Sequence, residues 1–87
     1  MKLWLVTQDE RTGYDTFDMM VVAARDEEGA RRIYPQWSQS DNPMAWPEKP
    51  NTWDVWASSP ENVKVKLIGT AAKGIQPGVI CSSFNAG

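Results

Sequence analysis

The segment from residue 34 to residue 63 constrains the fold most, because its prolines exclude regular structure from the middle of the chain. It reads YPQWSQSDNPMAWPEKPNTWDVWASSPENV and holds four of the five tryptophans and five of the six prolines. Proline fixes φ and lacks a backbone N–H, so neither a long helix nor a central strand fits here. Disordered segments are poor in aromatic residues, which argues against disorder. We therefore predict an ordered Trp/Pro-rich loop at residues 35–58 within a single domain, residues 1–87.

The sequence before this loop predicts a hairpin of two strands. KLWLVTQ alternates, with Trp4 and Val6 on one face and Leu3 and Leu5 on the other. Both faces are apolar, which is typical of a central strand. MMVVAA is a second, nearly all-apolar strand, and the polar stretch DERTGYDTFD between them is predicted to form the hairpin tip.

Helix signals follow the hairpin in RDEEGARRIYP. Asp26 is the expected N-cap, acidic residues occupy the first turn, basic residues occupy the last turn, and Pro35 stops the helix. Ala30, Ile33 and Tyr34 lie at helical spacing and are expected to face the sheet. The pattern predicts a helix of two to three turns.

Two further strands are predicted after the loop. SSPENV is typical of a single capped turn, with Ser59 as the N-cap and Pro60 at the first helical position. VKVKLIG then places Val63, Val65 and Leu67 inward and its lysines outward, and VICSSF is the last strand. The order β-β-α-long Trp/Pro loop-β-β predicts an α+β domain with a mostly antiparallel four-stranded sheet and one short helix on a face.

The absence of histidine bears most on catalysis. Histidine is the usual general base near neutral pH and the commonest metal ligand, and this chain has none. No glycine belongs to a phosphate-binding loop, since the spacings of such loops are missing. We therefore expect no catalytic residue, no metal and no cofactor.

Charge and cysteine content point away from nucleic acids and membranes. The net charge of −2 gives no basic surface for nucleic acid or an anionic bilayer. No apolar run approaches the roughly 20 residues that span a bilayer. Cys81 is the only cysteine, so it cannot form an internal disulfide. It lies in a strand pattern, where a free cysteine usually behaves as a small buried hydrophobic residue. These features are typical of a cytoplasmic protein.

The loop tryptophans are the first candidate binding residues. They are Trp37, Trp46, Trp53 and Trp56. Some are expected to anchor the loop by burying roughly 150–250 Å² each. At least one is expected at a binding surface, and we predict that Trp46 is the most exposed. Sugar stacking and stacking of single-stranded nucleic acid are alternatives, but the latter needs several basic companions, and the loop sets Lys49 alone against Asp41, Glu48 and Asp54. Protein recognition needs only aromatic anchors and a polar rim.

The hairpin tip is the second candidate. Tyr14, Asp15 and Phe17 combine aromatic and acidic groups where most turns are purely polar, so we predict a second contact surface there. An alternative is that the tip carboxylates bind a hard cation or share acid and base roles. Those carboxylates belong to Asp9, Glu10, Asp15 and Asp18. Their spacing matches no EF-hand or other known carboxylate motif, which favours a solvated turn.

In general character the chain resembles small acidic proteins encoded by phages and prophages. The features are its size, the β-β-α start through TGYDTFD and VVAARDEEGARRI, and the lack of a catalytic signature. Several such proteins are anti-CRISPR or other anti-defence inhibitors that bind and block a host protein. The resemblance implies a binding function and identifies no family motif.

These observations favour a non-enzymatic protein-binding domain whose partner is another protein, with a phage-type inhibitor of a host defence or nucleic-acid-handling complex as its most concrete form. One alternative is a small ligand-binding or metal-binding protein, or an enzyme, that uses the acidic tip. Another is a homo-oligomeric structural or virion component in which the edge strand VICSSF or TWDVW pairs between chains.

Overall fold

The computed structural model describes residues 1–35 and 56–85, which form an antiparallel sheet and one short helix. The strands are β1 (Lys2–Thr7), β2 (Thr16–Ala24), β3 (Lys64–Thr70) and β4 (Gly78–Asn85). The helix is α1 (Glu27–Arg31), and a 3₁₀ turn covers Pro60–Asn62. The strand order is β3-β1-β2-β4, with every neighbouring pair antiparallel. This confirms the α+β class predicted from the sequence.

Strands β1 and β2 form the centre of the sheet, as their apolar composition predicts. Val6 lies opposite Met20, and Trp4 lies opposite Val22, on the face that we call the inner face. These four side chains are buried in the core together with Ala30 of the helix. The other face, which we call the outer face, carries half-buried residues such as Leu3, Leu5 and Val21. The helix therefore covers one face of the sheet only.

Helix α1 is capped as predicted but is shorter than two to three turns. The Asp26 carboxylate accepts a hydrogen bond from the Gly29 N–H at 2.7 Å. The helix ends at Arg31, and the Ile33 N–H donates to the Ala30 carbonyl at 3.3 Å in a tighter turn. Gly29 costs about 1 kcal/mol relative to alanine, and a residue before proline avoids helical geometry, so the helix cannot extend to Pro35.

The core lies between the inner face, the helix and the segment that follows the Trp/Pro-rich loop. Among the described residues, its buried members from outside the sheet are Ala30, Ile33, Tyr34, Trp56, Ala57 and Val63. The Trp4 indole N–H donates to the Ala24 carbonyl at 3.1 Å, so this buried donor is satisfied. Leu67 was expected to face inward but is 50% exposed. Strand β3 lies at an edge of the sheet, and a helix of five residues is too short to cover its whole length.

Irregular positions in three strands change which side chains reach the core. Asp18, Ile68 and Ile80 are each skipped in the strand register and form bulges. The bulge at Asp18 breaks the alternation of β2, so Phe17 and Met20 both point to the core. Cys81 was expected to be buried, and the structure corrects this: it is exposed, because it lies on edge strand β4 in an outer-face row opposite Val21.

Candidate binding surface at the β1–β2 tip

The tip, residues 8–15, connects β1 to β2 and is built around one buried glutamine. The Gln8 Nε2 group donates to the Arg11 carbonyl at 2.6 Å and to the Phe17 carbonyl at 3.0 Å. Gln8 Oε1 accepts from the backbone N–H groups of Glu10 at 2.9 Å and Arg11 at 2.8 Å. The sequence signal for this role is a polar side chain at the end of an alternating strand, and Gln8 was not among the residues predicted to form the site.

The far end of the tip is fixed by bonds to β2 and β4. The Gly13 carbonyl accepts from Thr16 Oγ1 at 2.6 Å and from Asn85 Nδ2 at 3.2 Å. The Asp15 N–H donates to the Asn85 carbonyl at 2.6 Å. Asp15 has a φ of 61°, a left-handed conformation that aspartate tolerates better than most residues do. Tyr14 is therefore held between two anchored residues.

The two aromatic side chains predicted to form the tip surface lie in different environments. Tyr14 is 77% exposed. Phe17 is only 4% exposed, and its ring centroid lies 4.8 Å from that of Phe84. Phe17 is thus a core residue and not a surface residue, because β2 begins at Thr16 and the bulge turns Phe17 inward. Tyr14 and Asp15 remain as the exposed pair.

A network of hydrogen bonds joins the tip to residues 56–62. Arg11 Nη1 donates to the Trp56 carbonyl at 2.7 Å. The Glu10 carboxylate accepts from the Ser58 N–H at 3.2 Å, from Ser58 Oγ at 3.1 Å and from Asn62 Nδ2 at 2.8 Å. The tip is consequently braced against the segment that follows the Trp/Pro-rich loop.

Trp56 belongs to the core and not to a binding surface, which corrects its place among the predicted contact residues. Its side chain is 0% exposed, and within residues 1–35 and 56–85 its indole N–H finds no hydrogen-bond partner. The other three predicted contact tryptophans, Trp37, Trp46 and Trp53, lie outside the described residues, as does nearly all of the possible strand TWDVW. Their exposure remains a prediction.

The same network lowers the pKa of Glu10. Hydrogen bonds from the Ser58 hydroxyl first, and then from Asn62 and the Ser58 N–H, lower the pKa of Glu10 from its ordinary value of 4.5. The pKa of Glu61 is also lowered, chiefly by its own backbone N–H and then by the Ser59 side chain. Both carboxylates are more stable as anions in the folded state than in the unfolded chain.

The lowered pKa of Glu10 predicts a specific pH dependence of stability. A depressed folded-state pKa contributes stability that is complete above the unfolded value and is lost as the pH falls through the folded value. Glu10→Gln is therefore expected to lose less stability than the wild type between about pH 5 and pH 3, measured by thermal unfolding. Asp9→Asn is the control, because the ion pair that Asp9 forms within the described residues is with the exposed Lys64 at 3.8 Å. Equal pH profiles for all three proteins would contradict this role.

The remaining carboxylates of the tip do not converge. Across the described residues no group of three or more His, Cys, Asp or Glu side chains is arranged to hold a metal ion. Asp9 points to Lys64, Glu10 to Ser58, and Asp18 sits at the β2 bulge. Among the same residues no helix has the length and hydropathy that crossing a membrane requires.

We compared the chain with known protein families, curated proteins and solved structures. No family model, no curated protein and no solved structure matches this chain.

Proposed function

We propose that this chain is a non-enzymatic cytoplasmic domain that binds another protein through the tip. Its most concrete form is an inhibitor of phage type that blocks a host defence or nucleic-acid-handling complex. The main support is a single observation: Tyr14 is 77% exposed at a turn fixed by hydrogen bonds to Thr16 and Asn85.

A fixed and exposed tyrosine suits protein recognition for two reasons. Tyrosine, tryptophan and arginine are the residues most enriched at binding hot spots. A side chain presented on an ordered turn loses less conformational entropy on binding than one on a mobile loop. The left-handed backbone of Asp15 costs some free energy, and the bond from its N–H to the Asn85 carbonyl helps to hold it in place.

The charge around Tyr14 favours a basic partner surface. Asp15, the exposed neighbour of Tyr14 in the chain, is acidic, and the guanidinium of Arg11 is directed to the Trp56 carbonyl. An acidic group beside an aromatic anchor is complementary to a positively charged surface, and proteins that handle nucleic acids carry such surfaces. This complementarity is the basis for proposing a nucleic-acid-handling complex as the target.

Capture from an extract of the host cell tests the proposal. Wild-type protein, Tyr14→Ala and Ile75→Ala serve as baits, and the retained proteins are quantified by mass spectrometry. Ile75 is the matched control, since it is 38% exposed and lies at the opposite end of the sheet, beyond the last residue of β3. We expect one partner to be retained by wild type and Ile75→Ala and lost with Tyr14→Ala. Identical retention by all three baits would contradict the proposal.

Thermal unfolding is the companion measurement. Substitution of an exposed residue that is neither a helix cap nor part of the core usually changes the free energy of unfolding by less than about 0.5 kcal/mol. Tyr14→Ala should therefore melt close to the wild type, so that a lost partner reports on contact and not on unfolding.

A further inference from the structure

One asparagine on β4 brackets the exposed Tyr14 from both sides. Asn85 Nδ2 donates to the carbonyl of Gly13, the residue before Tyr14, at 3.2 Å. The Asn85 carbonyl accepts from the N–H of Asp15, the residue after Tyr14, at 2.6 Å. Asn85 lies 72 positions from Gly13 in the chain. These bonds therefore tie the turn to a strand other than the two that it connects.

The bonds from Asn85 add to a bond within the turn. Thr16 Oγ1 donates to the Gly13 carbonyl at 2.6 Å, and these residues are three positions apart, so this bond closes the turn without attaching it to β4. Asp15 has a φ of 61°, and a residue other than glycine persists in such a conformation where its surroundings hold it. Because the Asp15 N–H donates to the Asn85 carbonyl, Asn85 contributes to holding it.

Asn85 is itself positioned by the core. The preceding residue, Phe84, is half-buried and packs against the core cluster, and its ring centroid lies 4.8 Å from that of Phe17. In the register of β2 and β4, Phe84 lies opposite Phe17 and Asn85 lies opposite Thr16. Contacts thus continue from the core through the end of β4 to both neighbours of Tyr14.

We propose that Asn85 is a positioning residue for the tip: its bonds hold the backbone on either side of Tyr14 so that the ring is presented to the partner. This inference rests on the binding function proposed for the tip. An ordered side chain loses less entropy on binding, so a looser turn should weaken binding even with Tyr14 intact. From the usual net contribution of a hydrogen bond, Asn85→Ala should raise the dissociation constant roughly three- to tenfold.

Aspartate at position 85 separates positioning from direct contact with the partner. Asn85→Asp keeps the size of the side chain, but a carboxylate cannot donate to the Gly13 carbonyl. The partner surface proposed for the tip is basic, so an added carboxylate that touched the partner would strengthen binding. A positioning role predicts the opposite, with Asn85→Asp weakening binding at least as much as Asn85→Ala. Tighter or unchanged binding by Asn85→Asp overturns the proposal.

Backbone amide relaxation, measured by NMR, tests the positioning role without a partner. The order parameters of residues 13–15 should fall in Asn85→Ala and keep their wild-type values in Ser83→Ala. Ser83 is the control because it is exposed on the same strand and lies opposite Met19. Circular dichroism checks that each variant is folded, and Asn85→Asp replaces Asn85→Ala if that variant is unfolded. Wild-type order parameters in a folded Asn85 variant overturn the proposal.

A double-mutant cycle with the protein that the wild-type bait retains tests whether Asn85 acts through Tyr14. Dissociation constants are measured for wild type, Tyr14→Ala, Asn85→Ala and the double variant. In the Tyr14→Ala background, Asn85→Ala should add less than about twofold, and an undiminished effect there overturns the proposal. Weak binding by Tyr14→Ala with unchanged binding by Asn85→Ala overturns this inference alone. Unchanged binding by Tyr14→Ala overturns the proposed function together with it.

Discussion

Replacing Trp56 by alanine is expected to lower the free energy of unfolding by about 3–5 kcal/mol, the usual cost of truncating a large core aromatic. Trp56 is 0% exposed and packs in the core cluster with the sheet and the helix. Small domains have total stabilities of only about 5–15 kcal/mol. Trp56→Ala should therefore be substantially unfolded at moderate temperature, as urea titration would show.

Phenylalanine at the same position separates packing from hydrogen bonding. Within the described residues the Trp56 indole N–H has no partner, so Trp56→Phe removes an unsatisfied buried donor. This gain offsets part of the free energy of unfolding that is lost with the smaller side chain. Trp4 is the control, since its N–H donates to the Ala24 carbonyl at 3.1 Å. We expect Trp4→Phe to cost about 1 kcal/mol more than Trp56→Phe. The reverse order would show that the Trp56 N–H is bonded in solution.

Replacing Arg31 by alanine is the second large effect, with an expected loss of about 2 kcal/mol, within the range for a hydrogen bond to a charged group. Arg31 Nη1 donates to the carbonyls of Pro60 at 3.0 Å and Val63 at 2.7 Å. It thereby ties helix α1 to the turn that precedes β3. Without the Arg31 side chain the turn should open more often. Amide exchange at Asn62 and Val63 should therefore be faster, and the melting temperature should be lower.

Arg32 provides a matched control for Arg31. Each arginine pairs with a glutamate four residues earlier, Arg31 with Glu27 and Arg32 with Glu28. Among the described residues the Arg32 side chain donates to Glu28 and not to the carbonyls of the turn, and it is 63% exposed, so Arg32→Ala should cost no more than about 0.5 kcal/mol. Equal losses for the two variants would mean that the helix pairs, and not the carbonyl contacts, stabilise the turn.

The parts of the fold that depend on local signals were predictable. Period-two alternation and apolar content placed β1 at the centre of the sheet, and Asp26 capped the helix as expected. Ala30, Ile33 and Tyr34 reached the core at their helical spacing, although the helix ended before the last two. These features are set by residues within a few positions of one another, which is why a single sequence reveals them.

The parts that depend on long-range contacts or on register were not predictable. A one-residue bulge at Asp18 decides that Phe17 is buried, and no residue type marks it in advance. The edge position of β4 exposes Cys81, and strand order cannot be read from a strand pattern. The bond from Arg11 to the Trp56 carbonyl spans 45 positions. A contact surface at the tip thus stays a prediction, and the structure adds that Tyr14 is exposed there whereas Phe17 is buried.

Binding through a rigid tip is the central claim, and the dissociation constant of Tyr14→Ala with the captured partner tests it most directly. A hot-spot residue costs at least about 2 kcal/mol on truncation. Since 1.4 kcal/mol is a factor of ten, we predict a dissociation constant raised roughly 30-fold at an unchanged melting temperature. A dissociation constant equal to that of wild type and Ile75→Ala would contradict the claim.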